Sequence, residues 1–474
     1  MEKLMDKSIL ELAPLLQTKQ LSPVDLVKEC LQRIEETEPT LNAYITVLHR
    51  EAMESAALAE KEILGGHYKG VLHGIPYSAK DLYTTKGIRT TAGSKVLEHN
   101  IPDYDATAII RLREAGAVLV GKNNLHEFAF GGTNENEYFG PARNPWNPAM
   151  NPGGSSGGSA ASVAASSSIF SLGTDTAGSI RIPASFCGIV GMKGTYGRVS
   201  RRGVLPLSSS LDHAGPLAKT TWDAAAVMSV IAGYDPLDPS SSSHPVPDYT
   251  EAFSCEGSKP FKGMRVGVCE RYFFERLDPQ VERAVRSALL RFEELGAELV
   301  AVDVPDIYDA VNARGIISLS EIYAYHSGIL KTSYEEYGSN IRKRLETGQY
   351  IPAWAYINAQ RLRTQHLKAW DEVYQKIDLL VSPTMAIPAF PIYADTISLD
   401  GNEVDPRNLD VSSRTPPSNF NGYPAVSIPC GLTEEGLPIG LQIQGRPFEE
   451  GLVFRSAYFM EQLLASGVSL SAAV

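Results

Sequence analysis

Glycine and serine crowd the segment from Asn151 to Arg181 at a density that ordinary core packing does not call for. The run Asn151-Pro152-Gly153-Gly154-Ser155-Ser156-Gly157-Gly158-Ser159 opens it and leads into an alanine-rich stretch. Leu172-Gly173-Thr174-Asp175-Thr176-Ala177-Gly178-Ser179-Ile180-Arg181 closes it. Each hydroxyl cluster rides on glycines, which adopt backbone angles closed to other residues. The chain between the clusters suffices for one helix and one short strand. Such a layout lets backbone N–H groups and serine side chains converge on one point, the raw material of an activated nucleophile with donors for a developing negative charge.

With 474 residues, the chain has room for one large domain or two to three ordinary ones. Its 43% hydrophobic and 21% charged residues match a soluble globular protein. A formal net charge of −12 argues against a polyanionic partner, so no nucleic acid is expected. The five cysteines, Cys30, Cys187, Cys255, Cys269 and Cys430, are scattered and never in a Cys-x-x-Cys pair. They read as buried, reduced thiols of a cytoplasmic protein. The charged start Met1-Glu2-Lys3-Leu4-Met5-Asp6-Lys7 carries no apolar signal-peptide core. No run approaches a membrane span, and no membrane association is expected.

Leu21-Ser22-Pro23-Val24-Asp25 reads as a helix start, with Ser22 as cap, Pro23 at the first helical position and Asp25 at the positive end. Leu26, Val27, Cys30, Leu31 and Ile34 then share one face. Further helices are predicted over about 51–64, 107–115, 159–168, 279–295 and 450–464. Strands are predicted over 74–79, 117–121, 264–268, 297–304, 378–383, 425–429 and 437–443. Helices alternating with short apolar strands predict an α/β fold, a mixed or largely parallel sheet flanked by helices on both faces. The polar stretches 235–262 and 395–418 read as surface loops within a single domain spanning 1–474. No internal repeat is visible.

Lys80 follows a predicted strand, Ser155 sits in the first glycine-rich turn and Ser179 in the second. Taken singly, each has an ordinary reading. A Gly-Gly-Ser-Ser-Gly run is usually a flexible loop, and an isolated lysine is usually solvated. Together and in this order they resemble the amidase signature family. The matching stretches are Gly74-Ile75-Pro76 with Lys80-Asp81, Pro152 to Ser159, Gly173 to Ala184, Gly188 to Lys193, Tyr196 to Ser200, Ser209 to Pro216 and Gly436 to Gln442.

The resemblance implies a single amidase domain, with a catalytic core over about 65–220 and a more variable substrate-side region over about 235–375. It implies a Ser-Ser-Lys triad: Ser179 as nucleophile, Ser155 as proton shuttle and Lys80 as base. Serine needs a base to attack, and lysine serves only when burial strips its proton near neutral pH. Thr176, Ala177 and Gly178, with Ser179, would offer N–H groups to the oxyanion. Asp175, Arg181 and Ser156 would hold the turns. The resemblance also implies a cis peptide bond at the glycine pair before Ser155.

Gly153-x-Ser155-x-Gly157 equally fits the nucleophile elbow of α/β-hydrolases, which needs a downstream acid and histidine. His213, His244, His326 and His366 are available for that role. The glycines do not follow the dinucleotide pattern, and His126-Glu127 lacks the second histidine of a zinc site. No metal or cofactor is expected.

The resemblance places Phe130, Gly131 and Gly132 at the substrate, alongside Phe128 and Thr133. Tyr138, Tyr323, Tyr325, Trp354 and Tyr356 are expected as an outer wall, which suggests a small aryl or apolar amide, with esterase side activity. One branch of the family forms the glutamine-hydrolysing subunit of tRNA-dependent amidotransferases. The stretch 318–337 and the segment before Asn419 depart from that branch's pattern, while Arg363 fits it. An independent amidase acting on a small-molecule amide is therefore the preferred reading, and it admits a homodimer. The subunit of a larger assembly is the alternative.

Overall fold

The computed structural model describes residues 3–253, 259–399 and 401–465. Ser22 caps the helix Pro23–Leu41, accepting from the Val24 N–H at 3.0 Å. Leu26, Val27, Cys30, Leu31 and Ile34 form its buried face, as the spacing predicts. Gly116, at φ +81°, ends the helix Thr107–Glu114 and turns the chain into a strand.

Among the described residues thirteen strands form, numbered in chain order. They are β1 (Tyr44–Val47), β2 (Pro76–Lys80), β3 (Val118–Asn123), β4 (Phe170–Asp175), β5 (Val190–Lys193), β6 (His213–Ala218) and β7 (Arg265–Val268). Then come β8 (Glu298–Ala301), β9 (Leu379–Pro383), β10 (Ile397–Leu399), β11 (Asn402–Val404), β12 (Ala425–Leu432) and β13 (Pro438–Gln444). Eleven make one sheet in the order β1-β3-β2-β4-β6-β5-β12-β13-β9-β7-β8. Strand β2 runs parallel to β3 and β4, whereas β4, β6, β5, β12, β13 and β9 alternate antiparallel. At the far edge β7 is parallel to β9 and β8. This is the mixed sheet of an α/β fold. Strands β5 and β12 join the early and late halves of the chain in its middle.

Three differences from the sequence reading have physical causes. The small-residue helix is Gly157–Ala164, shorter than expected. Ser166 turns left-handed at φ +56°, and the N–H groups of Ser167 and Ser168 return to the Ser162 carbonyl. The stretch 395–418 is no loop. In it β10 pairs antiparallel with β11, and Ser412, Ser413, Arg414, Thr415 and Ser418 are all buried. Its polar groups are satisfied internally, so composition misreports exposure. Within 235–253, Asp235, Asp238 and Tyr249 are buried, and Arg198 pins the segment by donating to the carbonyls of His244 and Pro245.

Four cysteines are free; Cys30, Cys187 and Cys269 are buried and Cys430 half-buried. Cys255 lies outside the described residues. Among the described residues no helix is long and apolar enough to cross a membrane.

The helix Gly157–Ala164 lies backbone-to-backbone against its neighbours. A Cβ at Gly158 would come within 2.5 Å of the Ala43 and Asn124 carbonyl oxygens. Neither is a flexible group, so Gly158→Ala should lower stability by about 1–3 kcal/mol or more, as overpacking does. The urea denaturation midpoint measures this.

Candidate active site

Parallel neighbours β2 and β4 end side by side, and the chemistry gathers beyond their carboxyl ends, where open α/β sheets place their ligand crevices. Lys80 is the last residue of β2 and is fully buried. The register pairs Ala79 with Leu172, which brings Thr174 of β4 next to the lysine. Lys80 Nζ lies 2.8 Å from Ser155 Oγ and 2.7 Å from Thr174 Oγ1. Thr174 carries no sequence signal of its own. Only the pairing of β2 with β4 reveals it.

The next residue sets the charge of that lysine. Successive strand side chains point to opposite faces, so Asp81 turns away and pairs with Lys122 at 3.1 Å. It also accepts from the Thr91 N–H and hydroxyl. Lys80 is left with hydroxyl partners, and among the described residues no carboxylate lies within ion-pair distance of it. Burial pulls its pKa down to about 7, against the weaker upward pull of Asp212 and Asp175.

Ser155 and Ser179 occupy the turns that precede the helices Gly157–Ala164 and Arg181–Cys187. The Gly154–Ser155 bond is cis. The Ser156 N–H donates to the Ser179 carbonyl at 3.2 Å and ties the turns together. The Ser156 hydroxyl donates to the Thr174 carbonyl at 3.2 Å. The His126 N–H holds the Ser155 carbonyl at 3.1 Å.

The second turn is wound around one ion pair. Asp175 and Arg181 are both fully buried and meet through two bonds of 2.9 Å. Burial would push the Asp175 carboxyl up, but the guanidinium outweighs it and holds the group well below the usual carboxylate range. Asp175 also accepts from the Gly178 N–H at 2.8 Å and the Ile180 N–H at 3.2 Å. The remaining Arg181 donors go to the Thr415 carbonyl, Ser418, Gln442 and Asn419. Asn419 donates back to Asp175 at 2.7 Å, and Thr415 donates to the Ala177 carbonyl at 2.6 Å. Gln442 ends a stretch that carries the family resemblance, whereas Thr415 and Ser418 carry no signal because they lie in a stretch that reads as a loop.

Gly178 takes φ +126°, and a Cβ there would sit 2.0 Å from Thr415 Oγ1. Its N–H, expected at an oxyanion, is committed to Asp175. Among the described residues the N–H groups of Thr176, Ala177 and Ser179 meet no protein acceptor. The Thr176 hydroxyl donates to Asp212, whose carboxyl burial pushes up.

Phe130, Gly131 and Gly132 lie on the loop after β3, and Gly132 abuts Gly154 of the first turn. Phe128, Ala129 and Asn134 are left-handed at φ +48°, +61° and +60°. Such conformations persist only where surroundings enforce them. Asn136 does so by donating to the Gly93 and Leu125 carbonyls, while Asn134 Oδ1 accepts from the Gly157 N–H. A Cβ at Gly154 would strike the Thr133 and Asn134 nitrogens and the Gly132 carbonyl carbon within 2.9 Å.

Phe128 instead packs into a core cluster with His326 and Tyr337. Trp354 is 67% and Tyr138 43% exposed, and Tyr356 donates to Glu321. Among the described residues none of the histidines offered by the elbow reading bonds to Ser155 or Ser179, although His213 Nδ1 also lies 3.2 Å from the Asp175 carbonyl. His213 faces the Leu211 carbonyl, His326 the Tyr337 hydroxyl, His366 the Trp370 indole and His244 the Phe448 ring. The group beside Ser155 is Lys80.

A family model described as Amidase matches residues 25–454. One component of the glutamyl-tRNA(Gln) amidotransferase of Geobacter sp. (strain M21) is 40% identical over 485 residues, covering 97% of this chain and 98% of that protein. A solved chain from a vestigial complex tied to the origins of an s-triazine catabolic enzyme superposes with TM-score 0.92 at 33% identity, covering 98% and 99% of the two chains. A bacterial aryl acylamidase does so with TM-score 0.89 at 29% identity, covering 99% of each. With the matched model spanning almost its whole length, this chain belongs to the amidase signature family.

Proposed function

We propose that the chain hydrolyses carboxamides through an acyl-enzyme on Ser179, with Ser155 and Lys80 as its proton relay. The contact that carries this reading is Lys80 Nζ at 2.8 Å from Ser155 Oγ, with burial holding the amine near neutrality. Neutral Lys80 accepts the Ser155 proton as Ser155 accepts that of Ser179. Ser179 Oγ then bonds to the amide carbon. The carbonyl electrons move onto oxygen, facing the open N–H groups of Thr176, Ala177 and Ser179. Losing one such donor typically costs about 100- to 1,000-fold in rate.

As the tetrahedral adduct collapses, the C–N bond breaks and the proton returns through Ser155 to the departing nitrogen. Water then enters along the same relay, and its attack releases the acid and restores Ser179. Asp175, Arg181 and Ser156 position the turns. Gly178 serves through its backbone shape, and Phe130, Gly131 and Gly132 line the acyl side.

The substrate has two readings. The curated relatives, near 40% identity over almost the whole chain, favour a glutamine-hydrolysing component that works with partner chains. Likeness to the aryl acylamidase supports a chain acting alone on a simple amide. Assaying the purified chain on L-glutamine and on a simple aryl amide separates them. Turnover of the aryl amide without partners supports the standalone enzyme; glutamine hydrolysis that appears only with partner subunits supports the assembly.

Ser179→Ala should reduce turnover to background while the circular dichroism spectrum stays unchanged. Near-normal activity in that protein would remove Ser179 from the mechanism.

The pH dependence follows from Lys80. Its neutral fraction grows as pH rises through about 7, so kcat/KM should climb along a limb centred there. In Lys80→Met that limb should vanish along with activity. Unfolded Lys80 keeps its proton up to its ordinary 10.5. Between the two values the unfolded chain binds more protons, so stability should rise with pH across that window. Denaturation of Lys80→Met across pH 7 to 10 should lack this slope.

A further inference from the structure

The nucleophile turn has a second support, separate from the pair of Asp175 and Arg181. Thr176 is buried, and its hydroxyl donates to Asp212 Oδ1. The other oxygen of Asp212 accepts from the Leu207 N–H at 2.9 Å and the Ser208 N–H at 3.0 Å. Donors thus meet both oxygens, the arrangement an ionised carboxylate calls for. Burial pushes the Asp212 carboxyl up, while the Thr176 hydroxyl, the Arg201 charge and those two N–H groups pull it back.

The loop 207–211, which leads into Asp212, is held in turn from the helices of the substrate-side region. Glu321 lies on the helix Ile307–His326. Its carboxylate accepts from the Ser208 hydroxyl at 2.6 Å, the Ser210 N–H at 3.0 Å and the Ser210 hydroxyl at 2.7 Å. Tyr356, on the adjoining helix Ala353–Tyr374, donates to it at 2.9 Å, and Gln360 donates to the Tyr356 hydroxyl at 3.1 Å. Burial would push the Glu321 carboxyl up, but these donors outweigh it and hold the group below the usual carboxylate value. Tyr196 and Arg201 fix the same loop by donating to the Ser209 carbonyl.

The two supports grip different ends of the turn. Asp175 holds the N–H groups of Gly178 and Ile180, whereas Asp212 holds the side chain of Thr176. Peptide units are planar, so fixing Thr176 restrains the units on either side of its Cα, which carry the Thr176 and Ala177 N–H groups. Oxyanion donors work by being aimed before the charge develops. Hydrogen bonds to a carboxylate are about twice as strong as neutral ones, which suits Asp212 and Glu321 to that task.

Resting on the amide-hydrolase reading, we propose that Asp212 and Glu321 are positioning residues, through which the helices Ile307–His326 and Ala353–Tyr374 set the aim of the oxyanion donors at Thr176 and Ala177. Neither touches the reacting atoms. Glu321 acts through the Ser208–Ser210 hydroxyls and backbone on the loop, and Asp212 acts through the Thr176 hydroxyl.

Kinetics on the amide that the wild-type chain cleaves test this. In Glu321→Ala and in Thr176→Val, kcat should fall about tenfold or more while KM stays within about twofold, the mark of an interaction felt in the transition state. Glu321→Gln and Thr176→Ser keep a hydrogen-bonding group and should recover most of the loss. Unchanged kcat in both truncations, or a rise in KM alone, would overturn the proposal and leave the hydrolase reading standing.

The pH profile separates Asp212 from a merely structural carboxylate. Asp212 and Asp175 are the carboxylates that pull the Lys80 pKa upward. The other groups facing Lys80 are the Ser155 and Thr174 hydroxyls and His126, which burial, with the charges of Arg344 and Lys80, keeps neutral. Asp212→Asn keeps the shape and removes the charge, so the rising limb of kcat/KM should move to lower pH. Glu321→Ala should leave the limb in place. A limb unmoved in Asp212→Asn would overturn the placement of Asp212.

Capture by a short-chain alkyl fluorophosphonate reads the turn without amide turnover. The Ser179 Oγ–P bond forms as the P–F bond breaks. Fluoride leaves, the serine proton passes to Ser155, and the phosphoryl oxygen takes the place of the oxyanion. Capture about tenfold or more slower in Glu321→Ala than in the wild type supports the proposal even if no amide is cleaved, an outcome that would count against the hydrolase reading alone. Equal capture rates overturn it, and a wild-type chain that neither cleaves an amide nor is captured removes both.

Discussion

The buried pair of Asp175 and Arg181 is the contact on which the rest of the site depends. Removing two charges from water is costly, and the attraction between them repays that only when every remaining lone pair and proton is also met. Here it is. Backbone N–H groups and Asn419 fill the carboxylate, while Thr415, Ser418, Gln442 and Asn419 fill the guanidinium. Because the carboxylate takes the Gly178 and Ile180 N–H groups, the turn closes around it, while among the described residues the N–H groups of Thr176, Ala177 and Ser179 meet no protein acceptor. Breaking the ion pair by removing a single partner leaves the other charge stranded, a loss of about 3–5 kcal/mol in typical buried pairs.

A second buried lysine shows how the fold separates structure from chemistry. Lys80 and Lys122 end neighbouring strands, and both are fully buried. Lys122 receives Asp81 as counter-ion, whereas Lys80 receives two hydroxyls. One carboxylate, aimed by the alternation of a strand, decides which lysine is a structural cation and which can shed its proton at neutral pH.

Much of this is legible in the sequence, and the limits are physical. Ser155 and Ser179 sit in glycine-rich turns and Lys80 ends a strand, and it is their order together, not any one alone, that makes them stand out. The helix at Pro23 announces itself through its cap and apolar spacing. What stays hidden are partners set by register and by distant chain: Thr174 through the pairing of β2 with β4, and Thr415 and Ser418 through burial of a stretch that reads as polar loop. Composition reports a segment's chemistry but not whether its polar groups find partners indoors. Phe128 is misplaced for a different reason: aromatics pack wherever there is area to cover, and Phe128, expected at the pocket, finds its area in a core cluster.

The wiring of Arg181 also bears on how the chain is made. Its bonds to Thr415, Ser418, Asn419 and Gln442 span 234 to 261 residues, and β5 lies beside β12 rather than beside a sequential neighbour alone. During synthesis the nucleophile turn therefore leaves the ribosome long before the residues that lock it. The emerging chain holds Ser155 and Ser179 with an unanchored arginine just past the second turn, and only the last strands complete the support. Contacts so distant in sequence also make folding slow. A chain truncated before Thr415 would carry Lys80, Ser155 and Ser179 and still lack all four late partners of Arg181.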